Sequence, residues 1–99
     1  MSLRETLKDF AAQIAVASTD APDEYLLAQH GYENLYETHK ADIKHLWATI
    51  RPQLKRNVEQ AEWVDGKLQE MFTAFDAGEK EQGRKAAWAL YNAEVTKLR

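Results

Sequence analysis

The chain has 99 residues, 44% of them apolar and 29% charged, with a net charge of −3 and no cysteine. That is the size of one domain, able to bury roughly 60–65% of the surface its unfolded form exposes. Disulfide and thiol chemistry are excluded, the charged first residues are not expected to act as a secretory signal, and no apolar run reaches the roughly 18–20 residues that a membrane span needs. The expected setting is cytoplasmic, and no membrane partner is expected.

Charge falls in alternating blocks. Residues 20–38 carry five acids and no base, residues 39–56 five bases against Asp42, residues 57–81 seven acids against Lys67 and Lys80, and residues 82–99 four bases against Glu94. Blocks of opposite sign suit helices that lie side by side, within one chain or across a homodimer.

The first helix is predicted from a capping box, Ser2-x-x-Glu5, followed by Leu3, Leu7, Phe10, Ile14 and Ala17 at alternating spacings of four and three. Val16 lies off that stripe. The segment Ser18–Pro22 turns the chain, with Pro22, Asp23 and Glu24 placed for a helix start. A second helical stretch runs from about Asp23 to Ile50, weakened at Gly31. Its stripe is Tyr32, Leu35, Tyr36, His39, Ile43, Leu46, Trp47 and Ile50. No window alternates with period two, so no strand is predicted.

Pro52 then removes a helix hydrogen bond and clashes with the preceding turn. It marks a corner or a kink, and a corner is favoured, because two arms folded back can cover each other's apolar stripes. The third helix is expected from Pro52 to about Ala77, with Leu54, Val58, Ala61, Val64, Leu68, Met71, Phe72 and Phe75 inward and Gly78 closing it in the left-handed conformation. The fourth is expected from about Glu79 to Leu98. Ala87, Leu90, Tyr91, Val95 and Leu98 point inward, Trp88 sits at the margin, and Ala86, Ala89 and Ala93 permit close helix approach. The fold class is all-α: one compact antiparallel bundle of about four helices, with short turns near 18–24, 51–52 and 77–79.

Chemistry is sparse. His39 and His45 flank Asp42 at spacings of three, which resembles half of a helical metal site, but a di-metal bundle needs two acid-x-x-His pairs and two further acids. A metal-binding bundle is therefore an alternative only, and the reading assigns no metal and no cofactor. No serine has a credible histidine–acid partner and the four glycines are scattered, so neither a nucleophilic triad nor a phosphate loop is present. The chain reads as no enzyme.

Two surfaces remain. Lys40, Lys44, Arg51, Lys55 and Arg56 form a basic hub around Pro52. Phosphate contact is one use for it, but acidic blocks on both sides favour pairing within the protein. Trp63 lies about 180° round the helix from Leu54, beside Arg56, Lys67 and Glu70. Tryptophan is enriched at interface hot spots. The expectation is thus a protein-interaction module, an adaptor, regulator or assembly factor, that uses Trp63 with Arg56, Lys67 and Glu70 as rim. Its partner is another protein or a second copy, and a nucleic-acid-associated regulator is the alternative.

Overall fold

The computed structural model describes residues 2–19 and 35–99. Within them lie four α-helices: α1 Leu3–Thr19, α2 Leu35–Ile50, α3 Val58–Asp76 and α4 Lys80–Asn92. No strand occurs among the described residues. The expected turn near 18–24, the start of the second helix near Asp23, the break at Gly31 and the stripe residue Tyr32 lie outside them, from residue 20 on.

Local sequence sets the helix ends. Ser2 Oγ accepts the Glu5 backbone N–H at 3.2 Å and donates its own hydrogen to Glu5 Oε1 at 3.2 Å, while Thr6 Oγ1 donates to the Ser2 carbonyl at 2.9 Å. Half of the capping box forms as expected. The Glu5 carboxylate reaches the hydroxyl, where the full motif would have it reach the Ser2 backbone N–H. At the far end of α3, Gly78 has φ +80. Its N–H donates to the Phe75 carbonyl at 3.1 Å, and Glu79 N–H donates to Ala74 at 2.8 Å. Those are the two bonds of a Schellman closure, which needs a left-handed residue where glycine sits.

Two boundaries differ from expectation. Pro52 stands in a 3-10 turn, Arg51–Gln53, and Leu54 is extended at φ −80, ψ 128. Helix α3 therefore starts at Val58, and the corner spans 51–57. Proline blocks the turn before it, and the chain needs several residues to reverse. Val58, expected inward, is 44% exposed, because it begins the helix and does not continue one. Helix α4 stops at Asn92, and Glu94 takes a left-handed φ of 54. A second 3-10 turn, Val95–Lys97, then brings Val95 and Leu98 into the core. Those two residues are buried as expected, but by a turn and not by a helical stripe.

The core is one cluster. Leu7, Phe10, Ile14 and Ala17 of α1 meet Ile43, Trp47 and Ile50 of α2, and Val64, Leu68, Met71, Phe72 and Phe75 of α3 meet Ala86, Ala87 and Leu90 of α4. Phe10 and Trp47 pack with ring centroids 5.4 Å apart. Burial on this scale is the main stabilising term, at about 25 cal/mol for each Å² of apolar surface covered. Helix α1 lies against both α2 and α4, and α3 lies against α4. The backbones of α2 and α3 stay apart. The two arms flanking Pro52 thus run back along each other and meet through side chains, as where Tyr36 packs edge-on against Phe75 with centroids 5.8 Å apart, while their closest backbone packing is against α1 and α4.

Candidate functional site

The gap between α2 and α3 is a cleft of about 580 Å³. Lys40, Lys44 and Trp47 of α2 and Arg51 of the turn that follows it recur at steps of four and three, so they share one face. On α3, Asp65, Leu68, Phe72 and Asp76 do the same. The helices run antiparallel, so the start of one faces the end of the other. Lys40 Nζ meets Asp76 Oδ2 at 2.7 Å at one end, and Arg51 Nε meets Asp65 Oδ2 at 3.2 Å at the other. Tyr36 donates its hydroxyl to Asp76 Oδ1 at 2.9 Å, and the Trp47 indole N–H donates to Asp65 Oδ1 at 2.5 Å. The floor between these ties is apolar, formed by Trp47, Leu68 and Phe72. The ammonium groups of Lys40 and Lys44 lie 5.6 and 5.5 Å from the Phe72 ring centroid, within cation–π range.

Hydrogen bonds from Lys40 and then Tyr36 hold the Asp76 carboxyl below its ordinary value of 3.8. Partial burial opposes them, and the fields of Lys40 and Lys44 add to them. These groups stabilise the carboxylate form because it accepts both donors.

The basic hub is thereby divided. Lys40 and Arg51 spend their charge on acids of α3, the pairing that the charge blocks favoured. Lys44 lines the cleft, and Lys55 and Arg56 are exposed in the corner. Their backbone N–H groups, with that of Asn57, converge on the Arg99 carbonyl oxygen at 3.0–3.2 Å, and Arg99 N–H donates to Asn57 Oδ1 at 2.7 Å. The corner is stapled to the last turn of the fold.

The histidine set also separates. His39 is buried and its Nε2 donates to the Gln13 carbonyl of α1 at 2.9 Å, whereas Asp42 and His45 are exposed on other faces of α2. Among the described residues no three histidine, aspartate or glutamate side chains gather as metal ligands.

Trp63 stands on the outer side of α3 and is 41% exposed. It lies about 120° round from the centre of the buried face formed by Ala61, Val64, Leu68, Met71 and Phe75. Lys67 Nζ sits 5.9 Å from its ring centroid and pairs with Glu70 Oε2 at 3.1 Å. Those three residues lie side by side on the surface. Arg56 does not join them through a helix, since it lies ahead of Val58, and the angle measured from Leu54 fails for the same reason.

No family model matches this chain, and no curated protein or solved structure does.

Sequence reasoning missed a second exposed aromatic site, a stacked pair on α4. Trp88 and Tyr91 of α4 stack with centroids 5.8 Å apart and planes 15° from parallel, and they are 55% and 46% exposed. Tyr91 was expected inside. Helix α4 buries a narrow strip, Gly83, Ala86, Ala87 and Leu90. The small residues of that strip were the available signal, because they let α4 approach so closely that a large neighbour such as Tyr91 is left outside.

Proposed function

We propose that the chain is a small non-catalytic binding module, an adaptor, regulator or assembly factor, that works by helix-face contact with another protein. One observation carries the reading. Trp63 keeps 41% of its surface in solvent on a helix whose other large apolar side chains beyond its first residue are buried. Exposed indole surface favours transfer to an apolar pocket, and a rigid aromatic loses little conformational entropy when it is captured. The surrounding α3 surface carries Glu59, Glu62 and Glu70 in addition to Lys67. A partner that offers a pocket for the indole and a lysine or arginine rim is the complementary surface.

The test compares variants. Immobilised protein captures partners from a lysate of cells that make it, alongside Trp63→Ala, a Glu59→Lys/Glu62→Lys double variant and Trp88→Ala. Capture is expected to fall in the first two, with both variants still folded at the assay temperature by circular dichroism, and to persist in the third. The same proteins retained by Trp63→Ala would overturn the reading. A solution mass of two chains that Trp63→Ala returns to one would make the partner a second copy.

A further inference from the structure

We propose that the cleft between α2 and α3 is a separate site for a medium-chain carboxylate, with the acid group on Lys44 and the chain along Ala48, Leu68 and Pro52. Three features carry this. First, the two ends of the cleft are closed by matched pairs, Lys40 with Asp76 and Arg51 with Asp65. Lys44 lies between them and forms an ion pair with no carboxylate of the described residues. Its direct contact is the face of Phe72, at 5.5 Å. Among the described residues the cleft therefore holds one cation whose charge no carboxylate meets in place.

Second, the surface beside Lys44 is apolar in one direction. Ala48, Trp47 and Pro52 line α2 and the corner, and Leu68 lines α3. From Lys44 to Pro52 is eight residues, or about 12 Å at 1.5 Å per residue, the length of an extended chain of roughly ten carbons by ordinary bond geometry. Third, the volume of about 580 Å³ lies in the range of small-molecule sites, which are mainly apolar with a few placed polar groups. Thr73 and Gln69 supply hydroxyl and amide donors on the α3 wall. An anion is favoured over a neutral chain because only an anion answers Lys44, and a single negative charge suffices because the other two cations are already paired.

Isothermal titration calorimetry with decanoate below its micelle concentration tests the site on the whole chain. Saturable one-to-one binding is expected. Lys44→Gln is expected to weaken it at least tenfold, and decyltrimethylammonium, with the same chain and opposite charge, to bind at least tenfold more weakly. Ala48→Phe places bulk in the cleft from an exposed helix position and is expected to abolish binding while circular dichroism and thermal midpoint stay unchanged. No saturable heat from decanoate would overturn the proposal, as would binding that Lys44→Gln and Ala48→Phe both leave intact. Neither outcome bears on the Trp63 face.

Discussion

The indole N–H of Trp47 meets the carboxylate of Asp65 at 2.5 Å, across a gap that the backbones of α2 and α3 do not close. The same carboxylate takes Arg51 on its other oxygen. One acid thus ties a side chain of α2 and one of the turn that follows it to α3, and it does so where the helix backbones stand apart. Asp65→Ala leaves the largely buried indole N–H without its acceptor, and a loss of about 1–3 kcal/mol in urea unfolding is expected. Asp65→Asn keeps an acceptor and is expected to lose less. The Arg51 pair is exposed and contributes little by itself.

Glycine-to-alanine changes are expected to have opposite signs at two helical positions. At Gly66, nothing lies within 4 Å of an added methyl group, so the substitution gains about 0.5–1 kcal/mol of helix propensity. At Gly83 the methyl group would enter the ring of Phe75, the contact through which α4 closes on α3. Overpacking of that kind costs about 1–3 kcal/mol and outweighs the propensity gain. Paired thermal melts of the two variants check the sign.

The two left-handed residues predict another such contrast. Gly78 closes α3 at φ +80, and Gly78→Ala is expected to destabilise by about 1–2 kcal/mol. Glu94 holds φ 54 after α4 with a side chain that disfavours it, so Glu94→Gly is expected to gain about 0.5–1 kcal/mol. Its loss of the exposed Lys97 pair subtracts little. Chemical denaturation midpoints measure both.

Acid is expected to loosen the Lys40–Asp76 end of the cleft. The Asp76 carboxyl is held below 3.8 in the fold, mainly by Lys40 and Tyr36. A depressed acid contributes stability that is fully present above its unfolded value and is lost as pH falls through its folded value. The contribution therefore stands at neutral pH and disappears at pH below 3.8. Asp76→Asn is expected to lower stability at pH 7 and to make no difference at the acid end. A pH series of unfolding measurements on both proteins reads this, and an equal gap at both ends would contradict it.

Stability should also separate surface aromatics from core aromatics. Phe10 is fully buried, and Phe10→Ala is expected to cost about 3–5 kcal/mol. Trp88→Ala removes a side chain that is 55% exposed, with its Tyr91 stack, and is expected to cost about 1 kcal/mol. Trp63→Ala should fall near the second value, which keeps it usable as a binding probe.

Much of the fold was legible because it rests on short-range patterns. The α1 stripe, the α2 stripe from Tyr36 onward, the capping serine and the closing Gly78 follow from spacings of three and four and from local hydrogen-bond needs. Trp63 was legible as lying off the α3 stripe, but not as exposed, because a neighbouring helix could have covered it and only packing decides that. Trp88 and Tyr91 were not legible as exposed either, because their exposure depends on how closely α4 sits against α1 and α3. The start of α3 was misplaced because a proline marks a boundary but does not say how many residues the reversal takes.

By itself the sequence determined the helical class, the inward faces and the alternation of charge, all properties of residues a few positions apart. Only the tertiary structure decided which acid meets which base, that α2 and α3 stand apart over a cleft, and that Lys44 lies between two matched pairs. Those depend on residues such as Lys40 and Asp76, 36 positions apart. Their meeting is set by the reversal at 51–57 together with how α1 and α4 pack, and no local spacing shows it.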